Sequence, residues 1–259
     1  MLCLNHEVRT FSASGPLPSY FAGMKYRHLF FDLDHTLWDF EANSRQTLEE
    51  LYDTLQLANR GVRDFDRFHK QYLIHNDKLW EKYRNGQIKV DELRWKRMWL
   101  ALLEFKIADE ALAREMGILF LDLLPTRKLL FPHAIETLDY LSAKNYRMHL
   151  ITNGFEQTQH GKLNNSGLAG YFTEVITSEG SNSLKPHRAI FEYALSKAKT
   201  HSDESIMIGD SIDVDIEGAF NAGIDQVHVN HLTKEPVAFS TNRYATYTVY
   251  SLNELKEIF

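Results

Sequence analysis

Arg27-His28-Leu29-Phe30-Phe31-Asp32-Leu33-Asp34-His35-Thr36-Leu37 is the stretch whose reading decides the fold. A short, largely apolar run from Arg27 to Phe31 leads directly into acid. That texture predicts a strand buried on both faces of a parallel sheet, ending where ligands bind. Further on, Ile208-Gly209-Asp210-Ser211-Ile212-Asp213-Val214-Asp215 repeats the pattern of an apolar run closed by acids, behind a predicted strand from Ser205 to Ile208.

Outward from the first strand the texture changes. Leu48, Leu51, Tyr52 and Leu55 recur at helical spacing, with Asn43 or Ser44 placed to cap the helix. Phe68, Tyr72, His75 and Leu79 continue that period, Leu93 through Phe105 is a Trp-rich apolar segment, and Leu112, Met116, Leu119 and Leu123 complete an all-helical block. From about Leu129 the pattern alternates. It predicts a helix opened by Pro132, a strand over Tyr146–Ile151, a weak strand near Val175 and a helix opened by Pro186. A helix ended by Gly223 follows, with strands near Val227 and Val249.

This order predicts an α/β fold: a Rossmann-like parallel sheet core with helices on both faces and an inserted all-helical cap domain. Residues 24–40 and 128–259 are assigned to the core and 41–127 to the cap. Residues 1–23, with Ser12, Ser14, Gly15, Pro16, Pro18 and Ser19, read as a flexible N-terminal tail, and Met24 as a candidate start of the functional chain.

The 259 residues are 44% hydrophobic and 25% charged, an ordinary globular composition long enough for a sizeable core. A net charge of -6 supplies no global basic field, which argues against a nucleic-acid polymer or an anionic membrane as partner. No run of about 18 apolar residues predicts a membrane span. A single cysteine, Cys3, cannot form an internal disulfide and fits a cytoplasmic location. The twelve histidines show no metal-ligand spacing, and Trp80, Trp95 and Trp99 read as core of the helical block.

If the two acidic strand ends are neighbours, Asp32, Asp34, Asp210 and Asp215 converge. Two like unit charges about 4 Å apart repel by roughly 4 kcal/mol at an effective dielectric of 20, so such a cluster calls for a cation. Hard oxygen ligands favour Mg2+, which takes one or two carboxylates together with substrate phosphate oxygens. Donors for a phosphate are also in place. Thr152-Asn153-Gly154 follows a strand with a hydroxyl, an amide and backbone N–H groups, and Lys185 precedes Pro186 at a predicted helix start. Any one of these alone is as easily a turn residue or a surface lysine; Asp213 and Glu217 read as solvated acids outside the site.

Asp32-Leu33-Asp34-His35-Thr36, Thr152-Asn153-Gly154, Lys185-Pro186 and Gly209-Asp210 through Asp215 resemble, in order, the four motifs of the haloacid dehalogenase superfamily. The likeness covers nearly everything after Met24. It implies that Asp32 is the nucleophile and that Asp34 is the general acid and base. It also implies that Thr152 and Lys185, with Asn153 and Gly154, hold the phosphoryl group, and that Asp32, Asp34 (through its carbonyl), Asp210 and Asp215 hold Mg2+ or order its surroundings. Asp34 separates this chain from the superfamily's true dehalogenases, which lack that second acid. His35 occupies a variable position and takes no role.

An insertion after the first motif is similar to the superfamily's helical cap. Asp34-His35-Thr36-Leu37-Trp38-Asp39 and the overall length resemble the YjjG-type pyrimidine 5'-nucleotidases. The expected activity is therefore Mg2+-dependent hydrolysis of a small phosphorylated metabolite, a nucleoside 5'-monophosphate, by a monomer or homodimer. A phosphosugar phosphatase, a phosphomutase and a non-catalytic phosphate-binding module are the alternatives.

Overall fold

A computed structural model describes residues 25–231, 238 and 243–259; the expected tail over 1–23 and the start at Met24 lie outside them. Six parallel strands form one sheet: β1 (His28–Phe31), β2 (Arg147–Thr152), β3 (Phe172–Thr177), β4 (Ser205–Gly209), β5 (Asp225–Val229) and β6 (Tyr247–Val249). Their order is β3-β2-β1-β4-β5-β6. The chain leaves β1 toward β2 and β3, then returns to lay β4 on the other flank of β1. Phe31 consequently pairs with Leu150 on one side and Ile208 on the other. Reversal of strand order next to β1 opens a crevice at the carboxyl ends of β1, β2 and β4.

Side-chain alternation gives the sheet two apolar faces. Leu29, Phe31, Leu150, Ile206 and Ile208 lie in the larger core cluster, whereas Phe30, Ile151 and Met207 join Ile190, Phe191, Ala194 and Ala219 on the other face. Each fully buried Phe, Leu or Ile contributes about 1.5–3 kcal/mol, and β1 has no exposed residue at all. This is why a four-residue strand can fix the position of whatever follows it.

Between β1 and β2 stand α1 (Phe40–Thr54), α2 (Phe65–Arg84), α3 (Val90–Leu103) and α4 (Glu110–Leu123), with no strand among them. Phe68, Tyr72, Met98, Leu102, Met116 and Phe120 fill their shared interior. Beyond them follow α5 (Ala134–Ala143), α6 (Glu156–Asn165), α7 (Ser178–Ser181), α8 (Arg188–Ala198) and α9 (Glu217–Asn221), interleaved with the strands. Among the described residues no helix is long and apolar enough to cross a membrane.

Three helix starts differ from the expected ones. Helix α1 begins at Phe40, capped by Asp39, whose carboxylate accepts from Ala42 N at 2.9 Å. Asn43, expected as a cap, is instead buried inside α1, donating to the carbonyls of Asp39 and Leu129 and accepting from Leu129 N at 3.0 Å. A side chain that ties two chain segments together outweighs its own capping preference. Pro132 and Pro186 do not open their helices. Helices α5 and α8 begin at Ala134 and Arg188, after turns whose last residues are His133 and His187. Lys185 and Pro186 are joined by a cis peptide in the turn ahead of α8.

Candidate active site

Parallel pairing brings the strand ends together. Asp32 follows β1 directly, and its backbone N–H donates to Ile208 O at 2.9 Å, so the ladder to β4 runs up to the carboxylate itself. Asp210 follows β4, and Thr36 Oγ1 donates to Asp210 Oδ1 at 3.0 Å. After Asp210 a single turn of π-helix, Ile212–Ile216, carries Asp215 back into the protein, where Ser211 N donates to its Oδ2 at 3.1 Å. Gly209 leaves the room this needs: a Cβ there would sit 2.4 Å from Asp215 Oδ2. One oxygen from each of Asp32, Asp210 and Asp215 lies within 4.8 Å of the others.

Lys185 is buried beside this trio. Its Nζ lies 2.5 Å from Asp32 Oδ1, 2.7 Å from Asp215 Oδ1 and 2.7 Å from the Ile151 carbonyl, so three N–H groups meet three acceptors. Burial opposes its charge, yet the Asp215 and Asp32 carboxylates outweigh that and hold the ammonium well above the usual lysine range. One ammonium does not balance three carboxylates. Burial pushes Asp32 well above the usual carboxylate range, against the pull of Lys185 and with the help of Asp215 and Asp210. Asp210 is pushed up to about 7 by burial and then by the charge of Asp215. A buried all-oxygen donor set with surplus negative charge fits a small hard dication.

Asp34 belongs to a second group. Lys162 Nζ donates to both its oxygens, at 2.6 and 2.8 Å, and Gln159 Nε2 donates to Oδ2 at 2.9 Å. Burial alone would raise this carboxyl, but the Lys162 charge and the donated hydrogen bonds bring it below its ordinary value. Gln159 Nε2 also donates to Thr152 Oγ1 at 2.9 Å, and Gly154 N donates to the same oxygen at 3.1 Å. The Thr152 hydroxyl thus accepts twice at the end of β2, and its proton stays free to donate outward.

The Asn153 side chain, which also lines the cavity, is engaged with backbone. Its Nδ2 donates to Lys185 O at 2.9 Å and its Oδ1 accepts from Lys185 N at 2.7 Å, which fixes the turn that presents Lys185. Gly154 and Thr152 line the same cavity as the acids.

That cavity, about 410 Å³, lies between the strand ends and the helices inserted after β1. Asp32, Asp34, Thr152, Lys185, Asp210 and Asp215 form its floor, and Asn76, Asp77, Trp80, Arg84, Arg97 and Leu121 come from α2, α3 and α4. Trp95 and Trp99 pack against the core as expected. Trp80 differs, because it lines the cavity and stacks on Phe155 with ring centroids 5.6 Å apart. Asp213 is exposed, as its reading as a solvated acid requires.

Lys162, Gln159 and Arg97 were not singled out by sequence reasoning. A signal for the first two exists in α6, where Thr158, Gln159 and Lys162 are all buried polar residues on a helix that starts two residues after Gly154. Polar side chains spaced three apart on the inward face of a helix that leaves a strand end mark a site more than a core.

The sequence profile of the haloacid dehalogenase-like hydrolases matches residues 26–223. The chain belongs to this family. The pyrimidine 5'-nucleotidase PynA of Streptococcus pneumoniae is 33% identical over 90% of this chain and 94% of its own length. The pyrimidine 5'-nucleotidase YjjG of Escherichia coli is 32% identical over 91% of this chain and 98% of its own. Among solved structures, the haloacid dehalogenase-like hydrolase YfnB of Bacillus subtilis, described as bound to magnesium, superposes with a TM-score of 0.79. It is 26% identical, over 90% of this chain and 98% of that one. The expected membership, fold and hydrolase class therefore hold, and the nucleotidase relatives support a phosphatase role.

Proposed function

We propose that the protein is a Mg2+-dependent phosphomonoesterase that hydrolyses pyrimidine nucleoside 5'-monophosphates through an aspartyl-phosphate at Asp32. The observation that carries the reading is the pairing of two acids at one strand end with different partners. Asp32 faces Lys185 and the Asp210–Asp215 pair, while Asp34 is clamped by Lys162 and Gln159. Carboxylates held in different environments are how one site divides nucleophile from acid and base.

Asp32, Asp210 and Asp215, with the Asp34 carbonyl, would hold the ion, and bound Mg2+ supplies charge neutralisation that lets a phosphate dianion approach a carboxylate. In the first step an Asp32 oxygen attacks phosphorus, the bond to the leaving oxygen breaks, and Asp34 gives that oxygen its proton. The resting ion pair keeps Asp34 ionised; a phosphate dianion arriving beside it raises its proton affinity by like-charge repulsion, the effect already visible at Asp210, so Asp34 takes up a proton from solvent before it donates one to the leaving oxygen. As the charge of Asp32 is consumed, Lys185 can transfer its hydrogen bond from Asp32 to a phosphoryl oxygen. The free proton of Thr152 serves a second one. Asp34 then removes a proton from water, which attacks phosphorus and breaks the bond to Asp32, releasing phosphate.

Helices α1–α4, over about residues 41–127, would act as the cap that closes the cavity and excludes water, with residues 24–40 and 128–259 as the core. The names of PynA and YjjG support a pyrimidine nucleotide as substrate, and the cavity of about 410 Å³ accommodates one.

The deciding experiment is phosphate release from a panel of nucleoside 5'-monophosphates and sugar phosphates with Mg2+, run beside Asp32→Asn. Stoichiometric release from pyrimidine nucleotides, abolished in a folded Asp32→Asn variant, is expected. Isomer formation without release would make the protein a phosphomutase, and full activity in Asp32→Asn would remove the nucleophile.

A further inference from the structure

Arg97, on α3, is 2% exposed and lines the cavity above the acids. Its Nη1 donates to Asn76 Oδ1 at 3.1 Å. Its Nε and Nη2, both buried, meet no acceptor among the described residues, and no carboxylate forms an ion pair with it there. A guanidinium cannot shed its proton, so an acceptor-free edge of this kind is a buried cation with part of its hydrogen-bonding capacity unmet. Buried polar groups without a partner are rare enough in folded proteins that each points to a role or to a missing partner. Nε–H and Nη2–H together form the side-on fork of an arginine, the edge that takes a planar acceptor group.

We infer that Arg97, held by Asn76, is the specificity-determining residue of the leaving-group subsite and takes a ring carbonyl of the pyrimidine base. The surroundings favour a flat, partly apolar ligand. Trp80 and Phe155 stack on the cavity wall with an interplanar angle of 28°, and Leu121 and Leu124 also line the space. Asn76 is itself buried, and its Oδ1 is occupied by Arg97. The guanidinium carbon lies 5.0 Å from the Phe120 ring centroid, a cation–π contact that supports the charge from below but gives the fork no oxygen. An acceptor-built site rejects analogues that lack the acceptor far more strongly than a purely apolar pocket does, because the buried donors are then left open.

This inference rests on the nucleotidase reading, so the test separates the two. kcat/KM is measured for uridine 5'-monophosphate and for ribose 5-phosphate, which differ by the base alone, with p-nitrophenyl phosphate as a report of phosphatase chemistry. Active-enzyme concentration cancels in the ratio of the two sugar esters, so partial misfolding does not move it. The wild type should prefer the nucleotide at least tenfold. Arg97→Met and Arg97→Gln should cut that preference at least tenfold, and Arg97→Lys should restore only part of it, since an ammonium keeps the charge and loses the fork. Asn76→Ala, which leaves Arg97 in place without its anchor, should cut it by about threefold, and it serves as the second variant if Arg97→Met does not fold. An unchanged ratio in both Arg97→Gln and Asn76→Ala would overturn the inference and leave the nucleotidase reading standing. A wild type that cleaves p-nitrophenyl phosphate and ribose 5-phosphate but no nucleotide would remove both.

Discussion

Lys162 Nζ lies 2.6 and 2.8 Å from the two carboxylate oxygens of Asp34 and 4.3 Å from the centroid of the Trp38 ring. The lysine is fully buried while Asp34 keeps about a quarter of its side chain open to the cavity, and burial lowers the lysine's proton affinity while Asp34 restores part of it. The pair therefore sets the angle and the charge of the acid that the proposed chemistry needs.

Lys162→Met should reduce kcat by about 10- to 100-fold, at or below the lower end of the roughly 100- to 10,000-fold that general acid–base catalysis supplies, because Asp34 itself remains. The sign of the pH effect follows from the lost partner. Without Lys162, the largest opposition to burial is gone and the Gln159 hydrogen bond is the chief effect still favouring the charged form, so Asp34 is raised and the acidic limb of the kcat profile moves to higher pH. Lys162→Arg should recover much of the rate. Removing one member of a buried pair costs about 3–5 kcal/mol, so a melting curve accompanies the kinetics. A Lys162→Met profile that superposes on the wild type would show that the pair is structural.

Gly154 is required by contact, not by backbone angle. A Cβ at this position would lie 1.7 Å from Gln159 Nε2, the atom that bridges Asp34 and Thr152. Gly154→Ala should displace Gln159 and lower kcat at least tenfold, with a smaller effect in Gln159→Ala, which loses the bridge without pushing a neighbour aside. Equal, near-wild-type kcat in both variants would show that the bridge does not support catalysis.

Much of this arrangement can be read from the sequence because strand ends are local signals. Apolar runs closed by Asp32 and Asp210 announce themselves in a few residues, and parallel pairing then forces them together. Interactions made across elements leave weaker traces. Asn43 looks like a helix cap until its bonds to Leu129 are seen, and Lys162 looks like a surface lysine until α6 is found to turn its polar face inward. Arg97 gives no signal, since nothing in a Trp-rich apolar helix indicates that one guanidinium faces a cavity. Trp80 and Trp95 share the same helical texture, and only packing distinguishes a cavity wall from a core.

Mg2+ and protons should compete for the acidic trio. With Asp210 pushed up to about 7 by burial and by Asp215, an incoming dication must displace a proton at lower pH. A carboxyl raised in the folded state stabilises the metal-free fold at low pH, and that contribution is lost as pH climbs through about 7. The Mg2+-induced rise in melting temperature should accordingly be larger at pH 8 than at pH 6, and apparent Mg2+ affinity should weaken by up to about tenfold per pH unit below 7, as one displaced proton requires. Chelation by EDTA should abolish turnover at either pH. Calorimetric titration with Mg2+ across this range checks the prediction, and a pH-independent affinity would place the ion away from Asp210.

His149 makes an acid-stability prediction remote from catalysis. It is buried in β2, stacked between His28 and Phe30, with Nε2 3.0 Å from His28 Nδ1. Burial, followed by the charges of His28 and Arg147, lowers it to about 4. In the unfolded chain the imidazole takes a proton near 6.5, while in the fold it resists until about 4. Stability is thus level above pH 6.5 and falls as pH drops toward 4, by about 3 kcal/mol if the full difference is expressed. His149→Gln retains a polar group near His28 but cannot titrate. Urea melts of both proteins at pH 7.5, 6, 5 and 4.5 isolate the effect as their difference, which should shrink progressively on acidification as the wild type loses the advantage that His149→Gln never had. Parallel stability curves for the two proteins would mean that the imidazole is protonated in the fold and finds an acceptor there.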